Sequence, residues 1–350
     1  MSDIAGWKLR GPVRTLRKEH AEWDPTQGTW QAPRGVSTVR FRHDGQVSEG
    51  ESHNPDGSIA RWAHVYDDAG RIVERQFWMD DGPRSRVVYS YDALGRLAAV
   101  EDVAVDGTRR EAERCRYDDG GRKTKMIFLS PDRTGSPIHY RFEGTENTYS
   151  VAEAVTLTVA YDDRDLPVEG SFHDSTGGLA RHIVFSRDHE GRLLNEVVHF
   201  GGNSPFPEIQ RDADIVPLDK DPSMAAALAM AFEDRIFCNV AYTYDKKGRL
   251  LERTMFFGIL SEERTTFEYD DSDYPTAETL RTRNRRVDVD DDGVVRTTEE
   301  EPDVQQHSRY DYQYDSHGNW TERVGSYRRG SPPAFQRSTI ERRTLTYYEL

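Results

Sequence analysis

Residues 288–299 read DVDDDGVVRTTE, a full match to the calcium-loop pattern D-x-[DN]-x-[DN]-G-x5-E, with Val295 at the apolar eighth place. Asp288, Asp290, Asp292 and Glu299 offer the hard oxygen ligands that Ca2+ takes. An EF-hand also needs a helix on each side. Here the flanks LRTRNRRV and EEEPDVQQHSRYDYQYD carry no helical apolar stripe, and the second runs into a strand. EDVAVDGTRRE at 101 has the same run of β residues into Asp-Gly and out again. The expectation is therefore a hairpin turn at Asp292-Gly293 with an acidic tip. The four carboxylates stay as candidate metal ligands, and Ca2+ is the one cofactor considered.

Other chemistry is sparse. No G-x-S-x-G, H-E-x-x-H, C-x-x-C, Walker A or Rossmann fingerprint is present. GESHN at 50 sets Ser52 beside His53, but adjacent strand residues point to opposite faces. Cys115 and Cys238 could each be offered as a nucleophile, although inert buried thiols are commoner. His182, His189 and His199 are the closest histidine group and lack a ligand spacing. With 62 Asp and Glu, choosing a catalytic pair would be arbitrary. No catalytic residue is assigned, and the expectation is a non-enzyme.

The elements that hold these residues come from a repeat. YDDAGRI at 66, YDALGRL at 91, YDDGGRK at 117, YDKKGRL at 244 and YDSHGNW at 314 are clear copies. FRHDGQV at 41, YDDRDLP at 161, RDHEGRL at 187 and YDDSDYP at 269 are worn ones. Tyr ends a strand (Tyr66, Tyr91, Tyr117, Tyr161, Tyr244, Tyr269, Tyr314). Asp opens the turn, where its carboxylate accepts backbone N–H groups (Asp67, Asp92, Asp118, Asp162, Asp245, Asp270, Asp315). Gly supplies the left-handed residue (Gly70, Gly95, Gly121, Gly248, Gly318). A second turn signal falls halfway to the next copy, so each unit is two strands and two turns. Asp165 and Asp273 stand where Gly is expected, and Pro167 and Pro275 mark places where the sheet is expected to be irregular.

Counting back by two from each Tyr gives an aromatic face: Trp62, His64, Tyr66; Val87, Tyr89, Tyr91; Leu157, Val159, Tyr161; Val240, Tyr242, Tyr244. The opposite face is wet. An aromatic face of that size must be covered, and large sheets curl or close. The fold expected is all-β: a repeat-built antiparallel meander, curled into a barrel-like or spiral single sheet with a Tyr-lined inner face. A packed core is preferred over a ligand-lined cavity. One short helix is expected near 222–235, with Asp221 as N-cap and Pro222 at the first helical place. Residues 1–350 read as a single repeat domain, with a cap at 1–40 and repeats at 41–323. Insertions fall at about 130–155, 201–238 and 280–306, and capping strands at 324–350.

Composition narrows the partners. The net charge of −15 opposes phosphate backbones and anionic surfaces, so neither nucleic acid nor membrane is expected. Two cysteines are no disulfide framework. The N-terminus shows no secretory signal, and no run approaches the ~20 apolar residues of a helical span. The default expectation is cytoplasmic, with export by a signal-independent route left open.

The Y-D-x-x-G-R copies resemble the YD repeats of the RHS family, and the chain is similar to small stand-alone bacterial YD-repeat proteins. The resemblance runs from about Phe41 to Arg323 and includes the opening GPVRTL and the closing YDSHGNWTER. It implies a non-enzymatic β scaffold acting as a protein-binding module, in company with bacterial toxin and immunity systems. Two alternatives stand beside it. One is a carbohydrate-binding or glycan-processing protein with exposed aromatics, to be decided by whether Trp30, Trp62, Trp78 and Trp320 are buried. The other is a structural shell without a small-molecule ligand.

Overall fold

The structure is a computed structural model. It describes residues 3, 7–82, 84–129, 138–145, 147–151, 154–201, 236–258, 261–271, 273–289, 295–329 and 334–349, without the side chains of 138 and 285–304. The expected helix near 222–235 and the turn residues Asp290 and Asp292 lie outside the described residues.

The protein is all-β. Its described residues form 23 strands, 21 of them in one sheet, and every described pairing is antiparallel. The chain divides into two compact units, one of 1–112 with 308–350 and one of 113–307.

The first unit holds β1 (Val13–Asp24), β2 (Thr29–Trp30), β3 (Arg34–Phe41), β4 (Val47–His53), β5 (Ile59–Tyr66), β6 (Ile72–Met79), β7 (Ser85–Tyr91) and β8 (Leu97–Val103). The second unit holds most of β9 (Arg109–Tyr117), then β10 (Lys123–Phe128), β11 (Ile138–Tyr140), β12 (Tyr149–Val151), β13 (Thr156–Tyr161), β14 (Pro167–His173) and β15 (Leu179–Arg187). It continues with β16 (Leu193–Phe200), β17 (Ile236–Tyr244), β18 (Leu250–Phe257), β19 (Ser261–Tyr269) and β20 (Pro275–Val289). Within β21 (Val295–Tyr314) the chain passes back to the first unit, which also holds β22 (Trp320–Arg329) and β23 (Gln336–Tyr347).

The first unit's ladder begins β22–β23–β1–β3–β4, with β2 on the end of β1, and continues in sequence order to β8. The first and last strands are thus neighbours. In the second unit, β9 to β20 form a meander in which β11 and β12 stand apart as their own hairpin.

Local chemistry explains the turns. Asp92 Oδ1 accepts the backbone N–H groups of Leu94 and Arg96 at 3.0 and 2.9 Å, and Arg96 Nε donates to Asp92 Oδ2 at 2.8 Å. The same set recurs at Asp67 and Asp245, and Asp118 binds Arg122 alike. Asp162 and Asp315 keep the backbone part with Leu166 and Asn319. The motif glycines Gly70, Gly95, Gly121, Gly248 and Gly318 all have positive φ, and Asp165 takes their place at φ 60°. Pro167 and Pro275 do lie at register shifts, opposite Tyr161 and Tyr269. The same shift occurs at Tyr66, Tyr91 and Tyr244, where no proline follows. The irregularity is a bulge that belongs to the motif, where the turn feeds an extra residue into the ladder.

Five motif tyrosines are locked to the preceding copy on the ladder. Tyr91 Oη donates to the Ile72 carbonyl at 2.7 Å, and the guanidinium of Arg71 lies 4.6 Å from the Tyr91 ring centroid. Tyr66 repeats this with Val47 and Arg42, Tyr161 with Lys123 and Arg122, Tyr244 with Leu193 and Arg192, and Tyr269 with Leu250 and Arg249. Where the motif arginine is present it bonds its own Asp and stacks on the next Tyr; at Tyr66 the stacking cation is Arg42, from the second place of the worn copy. Tyr348 donates to the Phe41 carbonyl at the end of β3 and stacks on His43.

Candidate functional site: two tyrosine faces

In the second unit the tyrosine face is filled. Leu157, Phe172 and Ile183 are fully buried, and Phe185, Val240 and Tyr242 nearly so. The insertion carrying β11 and β12 covers them. Phe142 lies between Tyr140, Tyr149, Phe172 and Phe185, with ring centroids 4.9 to 6.3 Å away. It sits on Gly170, where a Cβ would stand only 2.2 Å from its Cζ.

A polar pin holds the same insertion. Glu196 is completely buried, and its carboxylate accepts from Asn147 Nδ2 at 2.7 Å, Tyr242 Oη at 3.1 Å and Tyr149 Oη. Burial first, and then the Glu196 charge, push both tyrosine hydroxyls far above the ordinary phenol range. Such a group is costly to bury unless fully bonded, and here it is anchored by three donors. Its site chemistry is attachment of the insertion to the wall.

In the first unit the packing differs. Leu9, Val13, Leu16, Val39, Phe41 and Val47 form a buried cluster with Trp62 against it. Beyond that cluster the face opens. His64, Arg75, Val87, Tyr89 and Val100 are only half-buried, and Phe77 is 41% exposed. His64, Arg75, Val87 and Asp102 occupy one row across β5, β6, β7 and β8. Arg75 lies 5.5 Å from the Tyr89 centroid. Its Nε is buried without a hydrogen-bond partner, and it forms no ion pair with Asp102 or with any other described carboxylate. Burial, and then the Arg75 charge, hold the His64 pKa below its usual value, which favours the neutral ring. The preferred packed core is thus the second unit's arrangement, and the open wall is the first unit's.

The first unit also has a cavity of about 160 Å3 lined by Thr38, Arg40, Glu49, Glu51, Arg61 and Trp78 over Gly50 and Trp62. Its charges satisfy each other: Arg40 pairs with Glu49, and Arg61 lies 3.6 Å from Glu51.

The remaining sequence candidates are dispersed. Asp288 lies in β20 and Glu299 in β21, on either side of 290–294. Among the described residues no group of three or more His, Cys, Asp or Glu could hold a metal ion. Cys115 and Cys238 are buried free thiols, each with its pKa pushed up to about 12, first by burial and then by a carboxylate, Glu113 and Glu196 respectively. His182 stacks on His199 at 5.6 Å and meets Glu169 at 2.9 Å, while His189 is exposed. His53 lies 3.7 Å from Glu51. Arg75 and Glu196 were missed from sequence, although a charge at a tyrosine-face position of the period-2 count is the signal that marks them.

The indoles correct the carbohydrate alternative. Trp320 is 3% exposed, with the Arg343 guanidinium 3.4 Å from its centroid. Arg84 lies over Trp78 at 4.4 Å, Trp23 packs on Trp30 at 5.0 Å, and Trp62 lies on Gly50. Trp320 is buried and the other three are half-buried, each with a neighbour on its ring, so none is a fully exposed platform.

No family model matches this chain, and no curated protein matches it. Among solved structures, a porin-like protein from Bacteroides uniformis is similar with a TM-score of 0.36 and 9% identity, covering 96% of this chain and 98% of that one. This finding corrects the expected cytoplasmic YD-repeat scaffold, whether binding module or shell, which rested on a resemblance that no family model matches. At that TM-score it puts no function in its place. The expectation of no membrane contact is corrected for a physical reason as well. It counted helical spans, whereas a strand crosses a bilayer with about 9–11 residues. Among the described residues no helix is long and apolar enough to cross, which says nothing of strands.

Proposed function

We propose that the open tyrosine face of the first unit binds amphiphilic anions, molecules with an apolar or aromatic body and an oxyanion head. The observation that carries this reading is Arg75: a guanidinium on a half-buried aromatic wall with no carboxylate among the described residues to neutralise it. An arginine so placed recognises an oxyanion through charge-assisted hydrogen bonds. Val87, Tyr89, Val100 and Phe77 supply apolar surface beside it for the body of the ligand. Neutral His64 in the same row can offer one further hydrogen bond without a competing charge.

The test is titration with the fluorescent aromatic sulfonate anilinonaphthalene sulfonate. The folded protein is expected to give a saturable signal, and Arg75→Met to weaken it by roughly ten- to a hundred-fold, the worth of a hydrogen bond to a charged group. Tyr89→Leu should weaken it less. Equal affinity in Arg75→Met and the parent would refute the reading.

A further inference from the structure

The apolar surface beside Arg75 has a direction. On β6 the side chains of Arg75, Phe77 and Met79 stand on the same side of the sheet, at every second residue. The ladder places Phe77 between Trp62 on β5 and Ser85 on β7, and Met79 opposite Ala60 on β5. Ser85 and Ala60 are small, so the long side chains beside them keep open flanks. Phe77 is 41% exposed and Met79 47%. Phe77 makes no ring contact among the described residues.

Single exposed apolar residues are ordinary on a protein surface. Two large ones in line on one strand, ending at a guanidinium, make an apolar patch with a charge at one end. Unlike Nε, the two Nη atoms of Arg75 are not fully buried, and neither has a hydrogen-bond partner among the described residues. The patch is therefore open where a ligand would meet it, with exposed carbon along β6 and unbonded N–H groups at its head.

Length then selects the ligand. From Arg75 to Met79 the strand rises by about 13 Å, at ~3.3 Å per residue. An extended alkyl chain covers that distance with about ten C–C bonds. A compact ring body spans less and leaves Met79 uncovered. A carboxylate matches the single positive charge and takes two N–H groups of the guanidinium side by side.

We infer that the ligand of this face is a medium-chain fatty acid, held by its carboxylate at Arg75 and lying along Phe77 and Met79. The inference rests on the proposed binding of amphiphilic anions at Arg75 and narrows it to a linear body of about ten carbons.

The test displaces anilinonaphthalene sulfonate with sodium hexanoate, octanoate, decanoate and dodecanoate, each below the concentration at which it self-associates. Affinity is expected to rise about two- to four-fold per added methylene up to decanoate and to level off at dodecanoate, whose last carbons pass Met79. Decyltrimethylammonium, with the same chain length and the opposite charge, should displace the probe at least about ten-fold less well. Met79→Ser should weaken decanoate by about three- to ten-fold and leave hexanoate unchanged, whereas Phe77→Ser should weaken both. Both side chains are well exposed, so the variants should melt with the parent; if either does not fold, the chain-length series on the parent decides by itself. The inference is overturned if hexanoate and decanoate bind the parent equally well, or if decyltrimethylammonium displaces the probe as well as decanoate. It is also overturned if a folded Met79→Ser protein binds decanoate as tightly as the parent. In each of these cases a probe signal that still needs Arg75 leaves the wider reading of the face standing. A probe signal equal in Arg75→Met and the parent removes both.

Discussion

Replacing Gly170 with alanine tests how the second unit's wall is filled. Gly170 has no positive φ, so the backbone accepts alanine, and removing a strand glycine by itself gains about 0.5–1 kcal/mol. Sterics oppose this. The new Cβ would stand 2.2, 2.5 and 3.3 Å from Cζ, Cε1 and Cε2 of Phe142. That ring cannot swing aside freely, because Tyr140, Tyr149, Phe172 and Phe185 surround it. Overpacking of this kind costs about 1–3 kcal/mol, so Gly170→Ala should destabilise by about 1–2 kcal/mol net. Phe142→Ala removes a side chain that is 2% exposed and should cost about 3–5 kcal/mol. In the double variant the clash disappears and the new methyl enters the vacated space. The double variant should therefore be no less stable than Phe142→Ala alone. The assay is urea unfolding of all four proteins followed by circular dichroism, with the coupling energy taken from the cycle. A coupling of about 2 kcal/mol is expected. Additivity within about 0.5 kcal/mol would mean that Phe142 does not rest on Gly170, and would refute the account of the filled face.

Two further predictions concern the motif. Tyr91→Phe keeps the ring under Arg71 and deletes the bond to the Ile72 carbonyl, so it should lower stability by about 0.5–1.5 kcal/mol in urea unfolding; unchanged or increased stability would contradict the locking role of the hydroxyl. Acid should weaken the turns, because hydrogen bonds from the backbone and side chain of Arg96 and Arg122 hold the Asp92 and Asp118 carboxyls below their ordinary value of 3.8. With the folded pKa lower than the unfolded one, that stability is complete above about pH 5, a unit beyond the unfolded value, and is lost as pH falls through the folded pKa. The urea midpoint should drop between about pH 5 and about pH 2.5, with a shallower slope in Asp92→Asn, and an unchanged slope would argue against the assignment.

Much of the fold was legible because it is local. The Asp carboxylate reaches N–H groups two and four residues ahead, and Gly supplies a backbone conformation that few residues adopt, so YDxxGR implies its turn wherever it stands. Alternation of side chains then yields the two faces, and the buried Leu157, Val159 and Val240 lie on the one counted back from the tyrosines. The metal pattern is local in another sense. Asp288 to Glu299 describe a spacing, and spacing implies ligation only when the backbone curls the oxygens onto one point. Asp288 and Glu299 lie in two successive strands, and the turn between them is outside the described residues.

The candidate sites depended on contacts between distant segments. Asn147 and Tyr242, 95 residues apart, meet at Glu196, and the first strand lies beside the last. Nothing within a few residues of Arg75 says whether a carboxylate will stand opposite. That depends on strand register, where a slip of one residue turns every side chain to the other face. It depends too on which insertion folds back over which stretch of wall. The amino-acid sequence by itself determined the repeating turn, the alternating faces and the all-β class, because these follow from interactions spanning a few residues. Only the tertiary structure decided that one tyrosine face is filled by the Phe142 insertion and the other left open around Arg75, because that choice rests on packing between parts of the chain that no local pattern connects.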